Sequence, residues 1–325
     1  MSDSCAIVVP AIYVNEDVEK CLQECLEQKK IKVSIYLVTN KKISKKLQLK
    51  KIKYLNFGDI NMSQKRNLAV KICKDRYIAF IDSDAYPSKN WIFNALKILK
   101  KNKKAGIITG PDLPFPNQKG WSILIGEAHK SFLLSGVKVF RKNLKKAMEC
   151  SQASSCNMIM KKKDFINVGG MDKDIYIGED KDLCDKIKKT KKILYSPKVL
   201  IYHKTRDFIP FILQRFSYGT SLLDLVKNNK ILNLNNIQYF IPFFVLSFYF
   251  FLPFSIYFDF LKVFFLILLT LLNGIILIES LRITPRLLQF WQIFFIIKLN
   301  ILSFGLGSLL NILGYKKVKR IYTKR

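Results

Sequence analysis

Residues 77–87 read YIAFIDSDAYP, and the reading of this stretch decides the fold. Tyr77 to Ile81 form an unbroken apolar run, as expected of a strand covered on both faces. The run ends in two carboxylates, Asp82 and Asp84, separated by Ser83. Upstream, SCAIVV (4–9) reads as a strand stopped by Pro10, and KVSIYLV (32–38) as a second. Between them Val18, Cys21, Leu22, Cys25 and Leu26 recur at helical spacing, with Asn15 as the cap and acids in the first turn. INMSQKRNLAVKIC (60–73) reads as a second helix with Leu68, Ile72 and Cys73 turned inward. Downstream come a third helix in SKNWIFNALKILKK (88–101) and a strand in GIITG (106–110). Strands alternating with helices predict an α/β domain with a largely parallel sheet. In such sheets ligands bind beyond the carboxyl ends of the strands, which is where Asp82 and Asp84 lie.

Neither G-x-x-x-x-G-K-[ST] nor G-x-G-x-x-G occurs, so a bound phosphate needs another counter-charge. A divalent cation held by carboxylates would supply it. Two more D-x-D patterns occur, Asp172/Asp174 and Asp180/Asp182, but only Asp82/Asp84 follows an apolar strand. Taken alone, DSDAYP serves equally well as an exposed turn.

Composition sets the outer frame. The chain has 325 residues, 50% of them hydrophobic, and the apolar ones crowd towards the end. Three stretches, 237–258, 264–278 and 287–313, are rich in Phe, Leu and Ile. The first and third are long enough to cross a bilayer, and the second is just long enough with its flanks. Pro242 and Pro253 interrupt the first; Lys298, Asn300, Ser303, Gly305 and Gly307 interrupt the third, which is the one expected to turn back or lie in the interface. Met1 to Ser4 has neither a basic nor an apolar region, so no signal peptide is expected and the N-terminal domain is expected to stay in the cytosol. The stretch 314–325 carries six Lys/Arg and is expected on the same side. Seven cysteines without a C-x-x-C pair read as small buried hydrophobes in a reducing compartment. The net charge of +31 is spread along the chain, which favours contact with anionic membrane lipids over a nucleic-acid partner. A basic nucleic-acid binder would require the apolar segments to be something other than membrane helices.

A second cluster, SSCNMIMKKKDFINVGGMDKDIYIGEDKDLCDKI (154–187), contains a strand, a Gly169-Gly170 turn and Glu179-Asp180 opening a helix, and ILYSPKVLIYHK (193–204) follows it. With the start of the chain it resembles the family 2 glycosyltransferases of the GT-A fold, in their membrane-anchored, exopolysaccharide-type form. The resemblance rests on Pro10 with Cys21-Leu22, Arg66-Asn67, Asp82-Ser83-Asp84, Gly169-Gly170-Met171-Asp172, Glu179-Asp180, and Pro197 with His203, in that order over about two thirds of the chain. It implies that Asp82 and Asp84 hold a divalent metal, Mg or Mn, and the sugar nucleotide, with His203 as a further ligand or diphosphate contact. Pro10 and Ala11 would border the nucleobase, and Arg66, Asp82 and Ser83 would contact the nucleotide. Asp180 would be the general base, with Glu179 beside it. The chain departs from the family at IYVNE (12–16) and at Thr39-Asn40, both positions that touch the nucleotide in relatives. Gln214 and Arg215, in the apolar and amphipathic stretch 206–229, resemble the interfacial helix of anchored relatives and would lie on the acceptor side.

These readings predict a GT-A domain over 1–205, an interfacial helix and linker over 206–235, two or three transmembrane helices over 236–314, and a basic cytosolic tail over 315–325. The implied activity is inverting transfer from a nucleotide-sugar donor, expected to be UDP-linked, to a lipid-linked or polysaccharide acceptor at the cytosolic face of the cell membrane. The alternatives are a polyprenyl-phosphate sugar synthase and a catalytically silent scaffold of the same fold.

Overall fold

The computed structural model describes residues 4–41, 51–136, 142, 145–175, 177–223 and 240–315. They divide into two compact units, Met1–Pro116 with Phe140–Lys204, and Asn117–Val139 with Thr205–Arg325.

The first unit opens with β1 (Ser4–Pro10), α1 (Glu16–Leu26), β2 (Lys32–Thr39), β3 (Ile52–Asn56), α2 (Met62–Ile72) and β4 (Tyr77–Phe80). It continues with β5 (Ala85–Pro87), α3 (Trp91–Lys101), β6 (Ala105–Thr109) and β7 (Asp112–Pro114). It closes with β8 (Met148–Glu149), β9 (Met158–Lys161), α6 (Lys162–Asn167), α7 (Glu179–Lys188), β10 (Lys192–Tyr195) and β11 (Ile201–His203). Eight strands form one sheet in the order β3-β2-β1-β4-β9-β6-β10-β8. The sheet is mostly parallel, but β9 runs antiparallel between β4 and β6. Residues of α1 and α3 pack on one face of the sheet, and residues of α2, α6 and α7 on the other. Covering on both faces explains why β1 and β4 read as continuous apolar runs.

Helix α1 forms as its periodicity predicts. Val18, Cys21, Leu22 and Cys25 are buried, and the Asn15 side chain accepts from the Val18 N–H at 3.1 Å. Helix α2 differs from expectation. Its buried residues are Ser63, Lys65, Arg66, Ala69 and Val70, whereas Ile72 is 46% exposed and Leu68 half-buried. The helix is turned so that two cations face the sheet, and hydropathy alone assigns those positions to solvent. All seven cysteines are buried and unbridged.

A second sheet of three short strands, β5-β11-β7, lies beyond the end of β4. Strand β11 pairs antiparallel with β5, placing His203 opposite Ala85. Such short strands with no alternation are invisible to periodicity.

The second unit contains α4 (Trp121–Ala128), α5 (Phe132–Ser135), α8 (Phe208–Gly219), α9 (Ile241–Phe251), a 3₁₀ turn (Leu252–Tyr257), α10 (Asp259–Ile283) and α11 (Leu287–Ile312). Residues 117–136, read from sequence as part of the N-terminal domain, group with this unit. Leu124, Ile125 and Ala128 of α4 pack with Phe211, Ile276, Ile293 and Ile297. A Cβ on Gly307 would meet the Phe216 carbonyl at 2.1 Å, and one on Gly219 the Phe304 carbonyl at 2.1 Å, so α8 and α11 approach backbone to backbone. Helices α10 and α11, of 25 and 26 residues, are long and apolar enough to cross a membrane. The first apolar stretch is a shorter helix that turns 3₁₀ at Leu252-Pro253. The third stretch, expected to turn back, is instead one unbroken helix. The linker residues 224–239 and the basic tail 316–325 lie outside the described residues.

Candidate functional site

The site is built where β4 ends. Ile81 is fully buried, and the chain then turns sharply, with the Ala85 N–H donating to the Asp82 carbonyl at 3.1 Å. The turn lifts Asp82, Ser83 and Asp84 to partial exposure at the carboxyl end of the sheet. The Cys21 thiol of α1 also donates to the Asp82 carbonyl, at 3.6 Å. The β5–β11 pairing then brings in His203 from about 120 residues away in sequence. Its Nε2 lies 3.2 Å from Asp84 Oδ1 and 3.9 Å from Asp82 Oδ2. Burial disfavours the charged imidazole, but the carboxylates of Asp84 and Asp82 outweigh it, and the His203 pKa is raised.

Asp82, Asp84 and His203 each offer one ligand atom within 4.8 Å of the others. Cis donors around a small divalent cation, at about 2.1 Å from it, sit about 3 Å apart. The spacing seen here needs little closure to reach that, and two carboxylates with an imidazole form a suitable donor set. The residues therefore fit a divalent cation, whose binding would compete with the proton on His203.

Helix α2 joins this cluster to the start of α7. Arg66 is 2% exposed, and its Nη2 donates to Asp82 Oδ1 at 2.8 Å while Nη1 donates to Glu179 Oε1 at 3.3 Å. Next along α2, Asn67 Nδ2 donates to the Met171 carbonyl at 2.7 Å, and its Oδ1 accepts from the Met171 N–H at 3.0 Å. Asn61, the cap of α2, donates to the Lys173 carbonyl at 2.6 Å. Three side chains of one helix terminus thus hold the loop that delivers Glu179 and Asp180. That loop turns at Gly169 and Gly170, with φ of +80° and +72°, values that disfavour any residue with a Cβ.

Glu179 and Asp180 occupy the first turn of α7, where Asp180 Oδ1 accepts from the Lys181 N–H at 2.8 Å. Burial pushes the Glu179 pKa up to about 7; the neighbouring Asp180 charge adds to this, and Arg66 opposes it. The structure therefore brings Asp82, Asp84 and His203 together and links them through Arg66 to Glu179, with Asp180 the next residue along α7. Pro10 ends β1 and Ala11 follows it beside β2, with the Ala11 N–H donating to the Val38 carbonyl at 2.8 Å. Lys65, unremarked in the sequence reading, is fully buried and donates from Nζ to the Ala11 carbonyl at 2.5 Å. Its burial lowers the pKa to about 8. No sequence signal marked it, because hydropathy assigns a helix lysine to solvent. Gln214 and Arg215 lie on α8 in the second unit, where Gln214 donates to the Tyr218 hydroxyl at 2.9 Å. Arg215 lies over the Phe211 ring at 4.9 Å and reaches His129 Nε2 at 3.5 Å.

The profile of the family described as Glycosyl transferase family 2 matches residues 6–169, just over half of the chain. The chain belongs to that family. The matched region includes Pro10, Ala11, Arg66, Asp82 and Asp84 and stops before Glu179, Asp180 and His203. Two curated relatives, the pre-mycofactocin glycosyltransferases of Mycobacterium tuberculosis strains CDC 1551 / Oshkosh and ATCC 25618 / H37Rv, are each 25% identical over 167 residues. That alignment covers 49% of this chain and 34% of either relative, so the chain spans about a third of the length of the curated proteins it matches. Among solved structures, GalNAc-T7 crystallised with UDP, GalNAc and Mn2+ has a TM-score of 0.50 at 14% identity, covering 63% of this chain and 44% of that one. At that identity the likeness is one of fold. The GT-A α/β architecture, the transferase family and an acidic cluster suited to a metal accordingly agree.

Proposed function

We propose that the chain is a membrane-anchored, inverting glycosyltransferase that moves a sugar from a nucleotide-sugar donor to a lipid-linked or polysaccharide acceptor. The observation that carries this reading is the convergence of Asp82, Asp84 and His203 within 4.8 Å at the carboxyl end of the sheet, with Glu179 joined to Asp82 through Arg66. Relatives' names support the class of reaction, and the Mn2+ and UDP in the GalNAc-T7 crystal support the class of donor. Helices α10 and α11 support the anchor, and anionic membrane lipids would meet the chain's positive charge.

In this reading Asp82, Asp84 and His203 hold Mg2+ or Mn2+, which supplies positive charge for the leaving diphosphate. Pro10 and Ala11 border the base, and Ser83 lies against the nucleotide. Asp180 takes the proton from the acceptor hydroxyl as its oxygen bonds to the anomeric carbon and the bond to the diphosphate oxygen breaks. One such displacement inverts the anomeric configuration. A positioned base of this kind contributes about 10²–10⁴-fold. Gln214 and Arg215 on α8 are assigned to the acceptor side.

The test is a panel of nucleotide sugars screened against the purified full chain with Mn2+, read first as thermal stabilisation and then as transfer. Asp180→Asn is expected to abolish transfer while keeping donor stabilisation. Transfer at the wild-type rate in that variant would remove Asp180 as the base. If every nucleotide sugar in the panel leaves stability unchanged, the transferase reading itself fails and the silent scaffold takes its place.

A further inference from the structure

The guanidinium of Arg66 is divided between two acids that belong to different parts of the site. One Nη donates to Asp82, in the cation cluster, and the other to Glu179, on the helix that carries Asp180. The Arg66 side chain is 3% exposed, so its charge is met chiefly by these two acids. The two acids compete for one guanidinium, because its fork is rigid and its charge is shared between them. The α2 residues on either side are fixed. Asn67 is bonded twice to Met171, and Lys65 is buried on Ala11. A shift of the guanidinium between Asp82 and Glu179 is therefore felt by both elements rather than absorbed by the helix.

We infer that Arg66 is a positioning residue that couples the cation cluster to the start of α7. It neutralises Asp82 when no cation is bound and turns towards Glu179 when Asp82 is engaged, settling α7 and Asp180 in place only with the donor's cation present. The inference deepens the proposed function and rests on the cation site it assigns. It differs from a direct nucleotide contact, because Arg66 acts through two carboxylates and not on the substrate. The sign of its effect follows from charge. Arg66 competes with the cation for Asp82, so removing it tightens cation binding, whereas removing Glu179 throws the whole guanidinium onto Asp82 and loosens it.

The test measures Mn2+ affinity of the full chain without nucleotide, from the spin-resonance signal of free Mn2+ at pH 8. Arg66→Gln is expected to bind Mn2+ about fivefold more tightly than wild type, and Glu179→Gln about fivefold more weakly. In Arg66→Gln/Glu179→Gln, which removes both partners and so spares the fold an unpaired buried charge, the Glu179 effect should largely vanish. Should Arg66→Gln fail to fold, Arg66→Lys serves in its place. One ammonium cannot hold both acids, so kcat should drop about tenfold or more while the donor KM stays within about threefold. Glu179→Gln weakening Mn2+ equally with and without Arg66, or Arg66→Lys raising the donor KM at unchanged kcat, overturns the coupling and returns Arg66 to a nucleotide contact. No Mn2+ binding to the wild-type chain overturns the cation site itself, and the coupling with it.

Discussion

Lys65 offers the sharpest quantitative prediction. It is a fully buried lysine that donates to the Ala11 carbonyl, and desolvation lowers its pKa to about 8 from 10.5. A base whose pKa is depressed in the fold destabilises the fold wherever the unfolded chain holds the proton. The penalty is complete below pH 8, shrinks as pH rises through 8, and vanishes above 10.5. That lowering corresponds to about 3 kcal/mol at pH 7 and about 1.5 kcal/mol at pH 9.5. Lys65→Met removes the titration and leaves the Ala11 carbonyl without its donor, a pH-independent loss of about 1–3 kcal/mol. The difference in unfolding free energy between Lys65→Met and wild type should therefore move by about 2 kcal/mol between pH 7 and 9.5, with the variant relatively best at pH 7. Denaturant titration of the first unit's tryptophan fluorescence, in the detergent-solubilised full chain, measures it. A difference that stays constant across that range would show that Lys65 is not desolvated as its burial indicates.

Three other outcomes follow from the geometry. The Mn2+ affinity of the wild-type chain should fall about tenfold per pH unit on acidification below the raised His203 pKa, because the cation must displace a proton there; in His203→Gln this dependence should flatten. Asn157, 1% exposed, accepts from Trp91 Nε1 at 2.8 Å and donates to the carbonyls of Val199 and Pro111 at 2.8 and 3.2 Å, so Asn157→Leu should destabilise the first unit by about 3 kcal/mol or more in denaturant titration. Gly307→Leu would drive a side chain into the Phe216 carbonyl and should lower the thermal midpoint of the full chain by several degrees, whereas Gly274→Ala on α10, with open space around it, should not.

Much of the fold was legible because its signals are local. The apolar runs of β1, β2 and β4, the period of α1 with its Asn15 cap, and the apolar bulk of α10 and α11 depend on neighbours within a few residues. The candidate acids were legible too, since a carboxylate pair that closes a buried strand is conspicuous along the chain. Helix α2 was misread at Leu68 and Ile72 because hydropathy has no means of recognising a helix whose inner face carries Lys65 and Arg66. Such a face is stable only where carboxylates and carbonyls from other elements receive the cations, and those come from Asp82, Glu179 and Ala11.

From the sequence alone came the alternation of strands and helices, the position of Asp82 and Asp84 at a strand's end, and the apolar character of the C-terminal stretches, all consequences of short-range periodicity and side-chain polarity, whereas which two of the three stretches form long helices did not. The resemblance had already set His203 beside Asp82 and Asp84, but tertiary structure alone showed the three-residue strands that bring it there, that Arg66 spans Asp82 and Glu179, and that α4 packs with the C-terminal helices. Contacts between residues a hundred or more apart are set by strand pairing and by the need to partner buried charge, and neither leaves a periodic trace along the chain.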